Sequence, residues 1–480
     1  MKEETRMWEK IRKKEKAAYI QIMEQVTEQI RKGNLQGGER LPSERKLAEL
    51  FGVNRTTVVR SLEELTSMGV LIRKQGSGTF VNEEKWGVYS EPRIDWRNYL
   101  SQSLLFEEDS FLSEFQERKN QKQLLDVFSG ELPTALIPSF DFPPFSWNKM
   151  VSEEINQDEL GYLPLREAIN QLIKTMYDYA PKREETLITA GGQQGVFLIL
   201  QTLLSSGESV AVEAPSFFYQ LPMFQAAGVR LFGVPMDDEG MQVDALEEMI
   251  LAKKIKMVMV NPNFQNPTGT VMSLARRKAL IALCRSYHIP IVEDDVFAEL
   301  SYNKLTLPTL KKLDPENVLY IGSFSKILGN TTRIGWICAP NHVLRSLIKA
   351  RKTMDFSVSI IPQVLAYWAL SDESYEKKLN QLGNQLHTQA NEFQQWLNHQ
   401  SFWHGRAPEG GYYSWLTWNG KPLTKSLAKQ MLSLGIAAGP AYLYGSKDNG
   451  LRINVSRIHQ KNFKEFVKKM DSLEQLLKVK

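Results

Sequence analysis

The sequence predicts two domains of different class: a small α+β unit at the N-terminus and a large α/β unit with a mainly parallel sheet behind it. Three observations carry this. The 480-residue length exceeds what one core usually organises and suggests two or three domains. The periodicity changes along the chain: residues 15–82 hold three helical stretches and one alternating run, whereas from Leu124 onward helical stretches alternate with short β-branched runs. The charge divides at the same place. Residues 1–82 carry 16 Lys/Arg against 11 Asp/Glu, and the rest carry 43 against 44. A positive excess confined to one end points to a polyanion partner for that end, although a solvated basic face has the same composition.

The elements of the first unit follow in order. Tyr19, Ile22, Val26 and Ile30 form one apolar stripe of a helix over 15–32. Gly33, Gly37 and Gly38 break it. Ser43, after Leu41-Pro42, is placed to cap a second helix that runs to Leu50 and ends at Gly52. Asn54 is placed to cap a third, which reaches about Met68 and stops at Gly69. Val70–Val81 alternates around Gly76-Ser77-Gly78 and reads as a hairpin. Helix, helix, tight turn, helix and hairpin is the outline of a winged helix-turn-helix, assigned here to residues 1–82. Residues 83–123 read as a linker that packs in part, because it holds Trp86, Tyr89, Trp96 and Tyr99.

Composition excludes several function classes. Hydrophobic residues at 42% and charged residues at 24% are ordinary for a globular chain. No apolar run is long enough to span a membrane. Met1–Lys16 is dense in Lys, Arg and Glu and lacks the apolar core of a secretory signal. The two cysteines, Cys284 and Cys338, stand in no metal-ligand spacing, so a reducing cytoplasm and no metal site are expected.

In the first unit, the third helix opens with Asn54-Arg55-Thr56-Thr57 and places Arg60 one turn later. Small polar side chains at a helix start reach base edges, and cations reach phosphates. Ser43 and Arg45 at the start of the second helix can present helix-terminal amides and a guanidinium to the same strand, and Gly78 lets the wing backbone approach a phosphate. The run Leu41-Pro42-Ser43-Glu44-Arg45, with Leu47-Ala48, Val53 to Val58, Leu62, Leu65, Gly69 and Gly76 to Phe80, closely resembles the GntR family of bacterial regulators. The resemblance covers about residues 15–82. It implies a double-stranded DNA operator as partner and Ser43, Arg45, Arg55, Thr56, Thr57, Arg60 and Gly78 as the DNA-binding residues.

In the second unit, assigned to residues 124–480, candidate strands are Ser209–Glu213, Lys256–Asn261, Ile289–Glu293, Asn317–Ile321 and Ile334–Cys338. Ser323-Phe324-Ser325-Lys326 follows one of them, with Arg333 seven residues on. Thr189 to Gln193 sits at a strand-to-helix junction, where glycine bares amides that suit a phosphate. Asp294 ends a strand, where open α/β sheets place ligands. Alone, each has a plainer reading: a surface lysine, a packing turn, a helix cap. Their order is what tells. Gly130, Gly191-Gly192-Gln193, Glu213-x-Pro215-x-Phe217, Asn261-Pro262, Asn266-Pro267-Thr268-Gly269, Asp294, Ser323-x-Ser325-Lys326, Arg333 and Leu451-Arg452 resemble the fold-type I aminotransferases, especially the branch with the 2-aminoadipate aminotransferases.

That resemblance implies pyridoxal 5′-phosphate as cofactor and the catalytic Schiff-base role for Lys326. It implies Asp294 as partner of the pyridinium nitrogen, Asn266 as donor to the cofactor's O3′, and Phe217 as the stacking ring. Gly191, Gly192, Gln193, Ser323, Ser325 and Arg333 become the phosphate cup. Arg452 becomes the arginine for a substrate carboxylate, and Gly130 the glycine behind the substrate. Two positions depart from the pattern. Phe297 stands where many of these enzymes have a tyrosine that bonds O3′, and Asn156 stands near a position where many have a tyrosine facing the partner subunit. A missing hydrogen bond to a charged group costs about 1.5–3 kcal/mol, which bears on turnover more than on binding. A GntR-type head on such a body resembles the MocR-type branch of the family. It implies a head-to-tail homodimer whose body senses an amino acid, an amine or the cofactor itself. A working aminotransferase with an autoregulatory head remains the alternative.

Overall fold

A computed structural model describes residues 8–11, 16–32, 34–83, 109–121, 123–303, 307–354 and 358–478. The chain divides into two compact units, Met1–Phe106 and Glu107–Lys480. Gly33 and the aromatic residues Trp86, Tyr89, Trp96 and Tyr99 lie outside the described residues.

The first unit has helices α1 (Ala18–Arg31), α2 (Glu44–Phe51) and α3 (Arg55–Ser67), then a hairpin of β1 (Leu71–Lys74) and β2 (Gly78–Val81). The caps follow from local chemistry. The Ser43 hydroxyl accepts from the Lys46 amide at 3.3 Å, and Gly52 turns the chain at φ 68°. The Asn54 side chain accepts from the Thr57 amide at 3.0 Å. The hairpin pairs Leu71 with Val81 and Lys74 with Gly78. Ile22, Val26, Leu47, Phe51, Val58, Leu62 and Leu65 bury one face of each helix in a single core. Asn54→Ala should remove the cap of α3 at a cost of about 1 kcal/mol. Thermal unfolding would then show an earlier transition for this unit alone, and an unchanged transition would mean the cap carries no stability.

The stretch read as a linker contains a helix, α4 (Ser110–Arg118), which buries Phe111 and Phe115 in the core of the second unit. These two rings are spaced i and i+4 and pack on Phe128.

The strands of the second unit's main sheet are β3 (Thr186–Thr189), β4 (Ser209–Ala214), β5 (Arg230–Asp237), β6 (Gly240–Met241), β7 (Ile255–Val260), β8 (Ile291–Asp294), β9 (Val318–Ser323) and β10 (Gly335–Cys338). They are ordered β3-β10-β9-β8-β7-β4-β5-β6. From β9 through β8, β7 and β4 to β5 the pairing is parallel, and β10 runs antiparallel to both its neighbours. The five strands expected from sequence are all present. Helix α5 (Gly192–Leu203) follows β3 and packs Val196, Ile199 and Leu200 on Val210, Val212, Ile321 and Ile337. A smaller layer holds β11 (Tyr413–Leu416), β12 (Gly439–Pro440) and β13 (Leu451–Asn454), with β13 between the other two.

The parallel strands end together on one edge of the sheet, which brings Asp294, Ser323, Asn261 and the loop after Ala214 to a common place. Among the described residues no helix is long and apolar enough to cross a membrane.

Candidate functional site

A cavity of about 380 Å³ opens at that edge. Lys326 stands within it at the end of the short turn Phe324–Lys326 after β9, and its Nζ donates to the Gly130 carbonyl at 2.9 Å. The hydroxyls of Tyr412 and Tyr413 donate to the same oxygen at 2.9 and 3.1 Å. A Cβ at position 130 would sit 3.1 Å from the Tyr413 hydroxyl and crowd that donor. The Lys326 ammonium lies 5.5 Å from the Phe297 ring centre.

Asp294 closes β8, and its Oδ1 is buried without a hydrogen-bond partner. Burial first, then the charge of Asp295, raises its carboxyl to about 7, with the Lys326 charge opposing. Burial likewise raises Glu213 to about 8 and Glu299 to about 7. Each such carboxyl keeps its proton in the folded state at pH values where the unfolded chain has lost it. Stability of the cofactor-free protein should therefore fall as pH rises from about 4 to 7 and beyond. Asp294→Asn should flatten part of that fall in thermal unfolding followed between about pH 5 and 8. An equal slope in the variant would remove Asp294 from the account.

On the next side of the cavity, α5 begins at Gly192 with no side-chain cap, after Gly191 at φ 83°. Its open amides, with Gln193, face the hydroxyls of Ser323 and Ser325 and the exposed side chain of Arg333 around the same cavity. Ser323 Oγ accepts from the Ser325 amide and donates to the Ile334 carbonyl, both at 3.2 Å. Arg333 holds a left-handed backbone at φ 48°, a conformation costly for any residue but glycine and one that clusters at functional sites.

Opposite, Phe217 and Asn266 are tied by the Phe217 amide donating to the Asn266 carbonyl at 3.0 Å. Asn266 is set in turn by Asn261, whose Oδ1 accepts from its amide at 2.8 Å and whose Nδ2 donates to the Asp294 carbonyl at 2.5 Å. Arg452, from β13, is 2% exposed. It donates to Asn266 Oδ1 at 3.0 Å and to the Phe128 carbonyl at 2.6 Å. Every cofactor-side and substrate-side residue expected from sequence lines this one cavity.

Sequence reasoning missed Tyr412, Tyr413, the positioning amide of Asn261, and the wall formed by Phe115, Gln116 and Lys119. Phe297 is buried and packs edge-on against Tyr412 and Tyr413 at 5.3 and 5.6 Å. Asn156 is exposed and donates to Glu153 at 3.3 Å. Among the described residues no group of acidic, His or Cys side chains is placed to hold a metal ion.

In the first unit, Ser43, Arg45, Arg55 and Thr56 lie at the starts of α2 and α3, Arg55 and Thr56 exposed. Asn54 Oδ1 gathers the Thr56 and Thr57 hydroxyls at 3.0 and 2.5 Å. Arg55 pairs with Glu44 at 2.8 Å, and Arg73 reaches the same carboxylate at 3.1 Å. Arg60 stacks on Tyr19, 4.1 Å from the ring centre. Gly78 has φ 115°, and a Cβ there would meet Arg40 Nε at 2.9 Å. Arg40 and Arg73 are cations of this face that the sequence reading did not single out.

A family model for bacterial regulatory proteins of the gntR family matches residues 18–81, and one for aminotransferase class I and II matches residues 149–470. The HTH-type transcriptional regulator YisV of Bacillus subtilis (strain 168) is 31% identical over 464 residues, covering 94% of each chain. The chain belongs to the GntR-type transcriptional regulators that carry a class I and II aminotransferase domain, the MocR-type arrangement. Among solved structures, the multiple substrate aminotransferase of Thermococcus profundus is similar at 26% identity and TM-score 0.69, over 80% of this chain and 98% of its own. The α-aminoadipate aminotransferase LysN of Thermus thermophilus is similar at 25% and 0.66, over 80% and 98%. Members of the aminotransferase family use pyridoxal 5′-phosphate. The cavity of this regulator fits that group: a buried carboxylate oxygen lacks a partner, helix amides stand open beside a cation, and glycines leave the space a Cβ would fill.

Proposed function

We propose that this transcriptional regulator binds pyridoxal 5′-phosphate through Lys326 and changes its DNA affinity when an amino acid or amine enters the same cavity. The observation that carries the reading is the convergence of Lys326, Asp294, the α5 amides and Arg452 on one cavity from distant parts of the chain. When bound, the cofactor supplies an aldehyde that combines with amines and a ring that withdraws electrons. The protein's part is positioning. Lys326 would hold the cofactor through its amine, and Asp294 would offer its unpartnered oxygen to the ring nitrogen. Asn266 and Phe217 orient the ring. The α5 amides, Ser323, Ser325 and Arg333 take the phosphate. Arg452 meets a ligand carboxylate. A ligand that binds one conformation of the body better shifts the population toward it, and only that difference in affinity can alter DNA binding.

Working transamination is the second reading, favoured by the completeness of the lysine, aspartate and arginine set. Phe297 argues against it, since it brings no hydroxyl to O3′. A second copy of the chain is part of the proposal, because Phe142, Phe145, Trp147, Val151 and Ile155 expose apolar surface along one stretch. The test is fluorescence anisotropy of an operator fragment with the full-length protein, with and without cofactor and with a panel of amino acids and amines. A ligand-dependent shift in affinity is the expected result. Affinity indifferent to both cofactor and ligands, beside rapid conversion of amino acids, would establish the enzyme instead.

A further inference from the structure

Residues 8–11 lie before the stretch matched by the gntR family model, yet they are built into the first unit. Trp8 is 6% exposed and stands edge-on to Phe51 with ring centres 5.2 Å apart. Glu9 and Gln25 exchange two hydrogen bonds, Glu9 N to Gln25 Oε1 and Gln25 Nε2 to Glu9 O, each 3.0 Å. The Ile11 amide donates to the Phe51 carbonyl at 3.0 Å. This segment is therefore fixed against α1 and α2.

Its position is specific. Trp8 lines an open cleft with Leu35, Arg40, Leu41 and Ser43, at the start of α2. Lys10 lies at the other end of that helix: its Cγ and Cδ stand 3.9 Å from where a Cβ at Gly52 would be. Gly52 makes the turn that leads into Asn54, the cap of α3. Lys10 is exposed, and among the described residues no carboxylate pairs with it.

The charge distribution says what such a lysine would meet. Residues 1–16 hold seven Lys/Arg against four Asp/Glu, whereas residues 17–82 hold nine against seven. Of those nine, Arg31 and Lys32 are paired with Glu28, and Arg55 and Arg73 with Glu44. The excess is thus three charges in the sixteen residues before the matched module and two within it, with Lys16 of the first group paired to Glu24 and Lys10 left without such a partner among the described residues. Attraction to a phosphate backbone scales with the number of cations that displace counterions.

We infer that Trp8–Ile11 is a third DNA-contacting element beside the helix-turn-helix and the wing, with Lys10 taking a backbone phosphate of double-stranded DNA. It rests on the reading that this unit binds DNA. Because Trp8 and the Glu9–Gln25 pair hold the segment in advance, the contact costs little ordering on binding.

The test is the salt dependence of binding of the full-length protein to a short random-sequence duplex, which reads phosphate contacts alone. Lys10→Gln should reduce the slope of log affinity against log salt by about 0.9, and Lys10→Arg should restore it. Trp8→Ala, which removes no charge, should reduce the slope at least as much, and thermal unfolding of the variant identifies any general loss of fold. Arg45→Gln serves as reference. If Arg45→Gln lowers the slope and Lys10→Gln does not, the arm is overturned while DNA binding by the unit stands. If the unaltered protein shows no salt-dependent binding, both readings fall.

Discussion

Lys326→Ala should leave a protein that folds, binds DNA and no longer responds to any ligand of the body. The fold should survive because Lys326 makes one of three hydrogen bonds to the Gly130 carbonyl, and Tyr412 and Tyr413 keep the other two. The side chain is half-buried at the end of a short turn and is not part of a hydrophobic cluster. What the variant lacks is one of two side-chain amines among the residues lining the cavity, the other being that of Lys119 at the end of α4. The unaltered protein mixed with pyridoxal 5′-phosphate should develop a visible absorption band that borohydride abolishes while leaving the cofactor fixed to the chain, and the variant should show neither the band nor the attachment. Coupling between two sites is ordinarily worth about 5–150-fold in affinity, and in the variant that coupling should vanish. If cofactor alone shifts DNA affinity in the unaltered protein, and amines add nothing, then occupancy of Lys326 is itself the signal. A visible band and an intact DNA response in Lys326→Ala would end the assignment of this lysine.

How much of this is legible in the sequence depends on how local each determinant is. The first unit is readable because its boundaries are set within a few residues: Ser43 and Asn54 cap helices three residues ahead, and Gly52 needs its left-handed φ for the turn. The five expected strands of the large sheet are readable because strands buried on both faces are near-continuous apolar runs. Strand β5 is not, since Arg230–Asp237 contains Gly233 and Pro235 and is buried only in part. Helix α4 escapes a sequence reading because its two buried phenylalanines acquire meaning only against Phe128.

The site divides the same way. Motif order places Lys326, Asp294, Asn266 and Arg452 in one cavity, because each sits at a strand end or loop that the fold brings to one edge. Tyr412 and Tyr413 meet Gly130 across 282 and 283 residues, and no local pattern announces such a contact. Arg55 is expected as a cation for DNA, but its pairing with Glu44 spans 11 residues and two helices, and becomes visible only in the folded unit. A DNA phosphate bound by Arg55 would have to compete with that carboxylate for the guanidinium.

Arg452→Gln should separate ligands that carry a carboxylate from those that do not. The guanidinium is a buried cation whose hydrogen bonds go to neutral oxygens, Asn266 Oδ1 and the Phe128 carbonyl, while its Nε has no partner. Three rings surround it, Tyr413 at 4.3 Å, Tyr444 at 5.0 Å and Phe128 at 5.6 Å. Aromatic faces and neutral acceptors hold a cation in place without neutralising it, so a carboxylate entering the cavity gains the whole charge–charge attraction in a poorly solvated setting. Removing one partner of such a pair costs about 2–5 kcal/mol, so amino-acid affinity should fall by roughly 30- to 5000-fold. An amine of the same side chain but without the carboxylate should bind the variant about as well as the unaltered protein. Arg452→Lys should not rescue the amino acid, because a point ammonium cannot reproduce the planar fork that reaches Asn266 and Phe128 together. The cofactor's visible band should persist in both variants, which keeps this loss distinct from that in Lys326→Ala. Equal weakening of the amino acid and the amine would mean instead that Arg452 serves only to hold Asn266 and the Phe128 backbone in place, and the ligand's carboxylate would have to be met elsewhere in the cavity.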